Sequence, residues 1–178
     1  RLFVVVPARA EFKNGNLPRF LASLARQRLA LDVVLLVNNR TTDADWQSDA
    51  WHDNRAALAW LEGIRAGTAT ASGGAFAREA ATIGGSALVL HPVDLTDGFA
   101  RNMGQLRSLG LARVRELAQG LPETRVLVLS ADADCLYGTC FARRLLALFG
   151  DARTRLVILP MLYFPLASVP AIVASYFR

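Results

Sequence analysis

Lysine is almost missing from this 178-residue chain: Lys13 stands alone, so nearly all of the 20 basic residues are arginines. They are scattered, with no run longer than Arg143-Arg144, which argues against a basic arm and against nucleic acid as a partner. The net charge of +5 suits anionic substrates or an anionic membrane face. Cysteine occurs twice, at Cys135 and Cys140, a spacing that fits no zinc or redox motif and builds no disulfide framework. Free thiols and a reducing, cytoplasmic setting are the expectation. The two histidines, His52 and His91, lie near no serine or cysteine nucleophile motif and read as structural or surface residues. No signal peptide, internal repeat or domain linker is visible. The first residue is Arg1 and a strand begins at once, so the chain is expected to be trimmed at its start.

Charge is absent altogether from Leu156 to Phe177, a length that raises the question of a membrane span. Pro160, Pro165 and Pro170 interrupt it, so the reading is a buried strand over Leu156–Leu162, a turn, and a short apolar helix that needs a cover. That tail, from Leu166 to Phe177, is expected to pack on a missing C-terminal segment, a partner or the inner face of a membrane. The alternative is that it completes the domain's own core.

Hydrophobic residues make up 53% of the chain, enough for one globular domain with a sizeable core. Leu2–Val6, Val33–Val37, Ala87–His91, Val126–Leu129 and Leu156–Leu162 read as apolar strands. Between them lie helical patterns: one opened by Asn16 as N-cap with Pro18 in its first turn, one over Ala56–Arg65, one over Phe99–Leu121 and one over Thr139–Phe149. The third carries the stripe Phe99, Met103, Leu106, Gly110, Val114, Leu117 and Leu121, which is core spacing. Asn38 to Asp53 reads as polar and turn-rich, and Gly67 to Ser86 as a loop with a short helix around Phe76–Ala81. Strands alternating with helices predict an α/β fold, a mostly parallel sheet with helices on both faces.

The most informative segment is Val126–Asp134, an apolar run that ends in two carboxylates one residue apart. A run without polar alternation reads as a strand buried on both faces. In open α/β sheets ligands bind just beyond the carboxyl ends of the strands, where Asp132 and Asp134 fall. Two carboxylates so placed repel each other unless a cation joins them. A hard divalent ion, Mg²⁺ or Mn²⁺, fits, and it brings phosphate with it. Asp43-Ala44-Asp45 has the same spacing in a polar stretch, so context and not spacing singles out Asp132 and Asp134. The other strand ends add Pro7-Ala8-Arg9-Ala10-Glu11, then Asn38-Asn39-Arg40-Thr41-Thr42-Asp43, then a helix start with Arg101. A nucleotide would use Asp43 for its base, Glu11 for ribose hydroxyls and Arg101 for phosphate. Each also has a plainer reading: Asp43 as a turn residue, Glu11 as a solvated one, Arg101 as an ion-pair partner of Asp97.

Four stretches in order, Val-Val-Val-Pro-Ala-Arg-Ala-Glu, Val-Asn-Asn-Arg-Thr-Thr-Asp, Gly-Phe-Ala-Arg-Asn-Met-Gly and Leu-Ser-Ala-Asp-Ala-Asp, resemble the landmarks of family-2 glycosyltransferases of the GT-A fold. The resemblance implies a Rossmann-like nucleotide-sugar-binding domain over residues 1–165, followed by the apolar tail 166–178. It implies a nucleotide-diphosphate sugar donor, an unknown acceptor, Mn²⁺ or Mg²⁺, and inversion at the sugar carbon. On its landmarks Pro7, Ala8, Arg9, Glu11, Asn39, Asp43, Arg101 and Asp132 would bind the nucleotide, and Asp132 and Asp134 the metal. The chain departs from the pattern at Arg9-Ala10, where an asparagine usually precedes the glutamate, at Arg40 and in the Gly67–Ser86 insert. No catalytic base is assigned, since the family's base comes later in the chain and Asp151 is the only acidic residue after Asp134. A non-catalytic nucleotide- or partner-binding module is the alternative. A nucleotidyltransferase ranks below it, because Pro7–Glu11 lacks a glycine-rich phosphate loop.

Overall fold

A computed structural model describes residues 1–40, 48–69, 74–97, 102–122 and 126–150. The expected fifth strand Leu156–Leu162 and the tail from Leu166 to Phe177 lie outside the described residues, as do Asp43, Asp45, Phe99 and Arg101. The chain divides into a unit over Arg1–Arg143 and a second over Arg144–Arg178. The first holds β1 (Leu2–Ala8), α1 (Asn16–Ala25), β2 (Leu31–Asn38), α2 (Asp49–Arg65), α3 (Ala77–Gly84), β3 (Leu88–Leu95), α4 (Met103–Leu117) and β4 (Leu127–Ser130). The helix α5 (Phe141–Leu148) begins in the first unit and ends in the second.

The described strands form one all-parallel sheet in the order β3-β2-β1-β4. The fold is α/β, as the alternation of apolar strands and helices predicts. Every residue of β1 and β2 is buried, which is why Leu2–Val6 and Val33–Val37 read as unbroken apolar runs. Phe3 and Val5 of β1, with Val34 and Leu36 of β2, pack against Leu106 and Val114 of α4. The alternate residues Val4, Val6, Val33 and Leu35 are equally buried on the opposite face. There α2 and α3 meet β3: Ile64, Ile83, Leu88 and Leu90 line one small cavity. Right-handed crossovers explain the split. The chain steps outward from β1 to β3 with its helices on one face, then returns past β1 to β4 with α4 on the other.

Gly110 sets how closely α4 approaches the sheet. A Cβ at Gly110 would lie 2.2 Å from Val5 Cγ1 and 3.2 Å from Leu36 Cδ1. Gly110→Ala gains helix propensity, about 1 kcal/mol, but forces the helix off the sheet, an overpacking cost of about 1–3 kcal/mol. The net result expected in urea unfolding is a lower midpoint; a variant as stable as the parent would show that α4 can shift freely.

Several boundaries differ from the sequence reading. Asn16 is the first residue of α1 and not its cap; Gly15, at φ 78°, precedes it, and the Asn16 amide turns to Glu11 instead. α2 begins at Asp49, inside the stretch read as turn, because Ser48 Oγ accepts from Trp51 N–H (3.1 Å). Two of its buried positions are the polar Asp53 and Asn54, which hide the apolar period. β3 runs on through Pro92 to Leu95; it ends the sheet on its side among the described residues, and an edge strand tolerates proline. α4 is shorter than the stripe suggested, closed by a reciprocal cap between Asn102 and Gln105, and Met103 is exposed. α5 is shorter too, and Leu148 is exposed and not inward.

β4 corrects the expectation of a strand buried on both faces. It ends the sheet among the described residues, and Val128 is 41% exposed while Leu129 is buried. At the opposite end of the strands from the carboxylate pair, Asp32 is buried, with Arg1 forking onto both its oxygens and His91 Nε2 2.9 Å from Oδ1. This fits the structural reading of His91. No helix among the described residues is long and apolar enough to cross a membrane.

Candidate functional site

The strand order places a topological switch at β1. The chain leaves β1 toward β2 on one side and later returns to β4 on the other, the kind of point at which open α/β sheets bind ligands. The segment after β4 packs along α1: Tyr137 N–H donates to Ser23 Oγ (3.2 Å), Gln27 Nε2 to Gly138 O (2.9 Å) and Ala142 N–H to Gln27 Oε1 (3.0 Å). Asp132 and Asp134 follow β4, and Arg9 and Glu11 follow β1. Continuity of the sheet carries the carboxylates there: Ala131 N–H still donates to Val5 O (3.0 Å) one residue past β4. Residues 131–134 then alternate. Ala131 and Ala133 are buried at 5% and 4% exposure, Asp132 is half-buried, and Asp134 is exposed. Small apolar side chains hold the segment against the domain while both carboxylates turn toward water.

Asp132 spends one oxygen on Arg107, whose Nη2 donates to Oδ1 at 3.0 Å. Arg107 lies on α4, beyond the Arg101 that the sequence pointed to. Among the described residues Asp134 meets only the weak Cys135 thiol, at 3.8 Å. Burial first, and the Asp134 carboxylate second, push the Cys135 thiol up, so it stays protonated and is a poor nucleophile. Burial likewise raises the Tyr137 phenol well above its ordinary range; its ring packs edge-on against Phe20 and tilted over Phe141.

The donor chemistry of the pair fits a hard divalent cation. Two carboxylates with oxygens to spare face solvent. Such a site suits an ion that keeps water and takes its other ligands from phosphate.

The loop after β1 is held from below by α2. Asp53 is 3% exposed; its Oδ2 accepts from Phe12 N–H (2.8 Å) and its Oδ1 from Lys13 N–H (2.7 Å). Asn54 Oδ1 accepts from Ala10 N–H (2.8 Å), while its Nδ2 donates to Asn38 O (2.9 Å) and to Asn39 Oδ1. Asn39 Nδ2 in turn donates to Thr96 O (2.8 Å). One pair of adjacent side chains on α2 therefore ties together the ends of β1, β2 and β3. Ala10 sits at φ 55°, a left-handed conformation that asparagine adopts more readily than alanine. The asparagine usual before the glutamate in the resembling family would suit this backbone; here the Asn54 bond holds an alanine in it.

Of the nucleotide residues read from sequence, Pro7 and Ala8 are buried in β1, and Arg9 and Glu11 are half-buried beyond it. Glu11 Oε2 accepts from Asn16 Nδ2 (2.7 Å) and Asn14 Nδ2 (3.1 Å), so the carboxylate is already oriented at the start of α1. Asn39 is fully buried with both ends of its amide bonded, so it supports the strand ends. Asp43 and Arg101 are outside the described residues. Phe12, next to Glu11, packs on Trp60 of α2 and on Phe76 at the start of α3, each with ring centroids 5.4 Å apart. The Gly67–Ser86 insert thus reaches the β1 loop through Phe76. Sequence reasoning missed Asp53, Asn54 and Arg107. The first two had a signal in the adjacent polar pair inside a helix; Arg107 had none beyond its place on the helix after β3. No family model matches the chain, and neither does any curated protein or solved structure.

Proposed function

We propose that the chain is the donor-binding part of a metal-dependent, inverting glycosyltransferase that takes a nucleotide-diphosphate sugar. The single observation that carries this reading is the Asp132-Ala133-Asp134 pair at the switch point of a parallel sheet, after the strand that neighbours β1. Asp132 and Asp134 would hold the ion, which when bound neutralises the diphosphate as it leaves the sugar. Glu11 would take ribose hydroxyls, its orientation set by Asn14 and Asn16. Arg9 would lie along the phosphates, and Asp43 and Arg101 keep their assigned roles toward base and phosphate. Ala131 and Ala133 would keep the carboxylate strand seated, and Asp53 and Asn54 the loop after β1. A nucleotide-binding module without its own transfer chemistry is the second reading, because the roles named for Glu11, Asp132 and Asp134 are all binding roles.

Calorimetry with UDP, GDP and dTDP, in Mn²⁺, in Mg²⁺ and in EDTA, is the test. The expected result is metal-dependent binding of at least one diphosphate. Equal binding in EDTA would remove the metal role, and no binding to any of them would remove the nucleotide reading.

A further inference from the structure

We propose that Arg107 is a resident cation of this site that competes with the divalent ion for Asp132, so that metal binds well only together with a diphosphate. Three observations carry it. The guanidinium reaches Asp132 Oδ1 at 3.0 Å, and both side chains are more than 40% exposed, so the pair lies open where a ligand would arrive. Among the described residues the guanidinium has Asp132 as its one hydrogen-bond partner, and Nε is buried without one, so the loss of a single bond releases the head group. Asp134 has no cationic partner among the described residues, so Asp132 is the oxygen donor over which two cations contend.

Consider the charges in turn. Without ligand, Arg107 already offsets one of the two carboxylates, and an ion that takes Asp132 must either dislodge the guanidinium or sit beside it against like-charge repulsion. A diphosphate changes the balance. Its oxygens accept the forked guanidinium in the bidentate manner that arginine favours, and Asp132 is released to the metal. Metal and diphosphate then favour each other's binding, and the coupling is the same whichever arrives first. The diphosphate half of this inference rests on the nucleotide reading above; the contest over Asp132 does not.

The probe is Mn²⁺ alone, followed by electron paramagnetic resonance of the free ion, on the parent chain and on Arg107→Gln, Arg107→Met and Arg107→Lys. Arg107→Met keeps an apolar stem on α4 should Arg107→Gln unfold, and circular dichroism reports folding for each. Without nucleotide, the Gln and Met variants should bind Mn²⁺ roughly fivefold or more tightly than the parent, and the Lys variant should stay near the parent. Inorganic pyrophosphate, titrated with Mn²⁺ present, should bind the Gln and Met variants more weakly. Mn²⁺ affinity unchanged or reduced in the folded neutral variants would overturn the proposal. A parent chain that binds no nucleoside diphosphate would defeat the functional reading alone, because the Mn²⁺ comparison still decides the contest.

Discussion

Asp134→Ala is expected to weaken metal-dependent diphosphate binding severely, whereas Asp45→Ala is expected to leave it intact. Both residues close an Asp-Ala-Asp pair, so the comparison holds spacing constant and varies only context. Asp134 follows a strand of a parallel sheet at its switch point, and it is exposed, so its loss should change stability by no more than about 0.5 kcal/mol. Loss of a charged ligand, in contrast, costs about 1.5–3 kcal/mol or more, roughly a ten- to hundredfold rise in Kd. Calorimetry with UDP or GDP in Mn²⁺ measures it, with the melting temperature as the check that folding is intact. Asp132→Ala should behave differently from Asp134→Ala in one respect, because it also frees Arg107. Some diphosphate affinity should survive in EDTA, carried by the guanidinium alone. If Asp134→Ala and Asp45→Ala bind alike, strand context does not select the carboxylate pair.

That comparison also shows what was legible in the residues. The central strands were, because burial on both faces removes every polar residue from Val4–Val6 and Val33–Val37 and leaves an unmistakable run. Parallel pairing and helices on both faces followed from the same pattern. The edges were harder. Val126–Leu129 looks like a central strand, yet Val128 is substantially exposed; apolar content does not report how far each face of a strand is covered. β3 was cut short at Pro92, which an edge position permits. The start of α2 was hidden for a different reason. A helix is found by its apolar stripe, and α2 uses two of its inward positions for Asp53 and Asn54. Buried polar side chains that serve another segment's backbone look, in sequence, like surface. At the site the carboxylate pair was legible because it interrupts an apolar run. Arg107 was not, because nothing about one arginine on a helix tells which strand end it will reach.

Asp53→Ala is expected to cost more stability than any other single change in the support of the β1 loop. The side chain is 3% exposed and accepts two backbone N–H groups, from Phe12 and Lys13, at 2.8 and 2.7 Å. Removing it strands both donors beside a small void, and hydrogen bonds to a charged acceptor are worth about 1.5–3 kcal/mol each. A loss of roughly 3–5 kcal/mol follows, or about 6–20 °C in Tm for a chain of this size. Asn54→Ala removes the bonds to Ala10, Asn38 and Asn39 and leaves Ala10 at φ 55° without its anchor, a conformation that is costly for alanine. The two side chains brace one loop, so the double variant should lose less than the sum of the singles. Asp49→Ala is the control: it lies in the first turn of the same helix, exposed, where a carboxylate contributes about 0.3–1 kcal/mol to the helix dipole. Thermal melts rank the three. Diphosphate titration of Asn54→Ala then separates bracing from binding, for its side chain is buried and can act on a ligand only through the loop. A weakened Kd with Asp134 and Asp132 untouched means that the β1 loop is a wall of the site. A destabilised variant that binds as well as the parent would confine α2 to holding the fold, and the ligand would then have to lie on the β4 side alone.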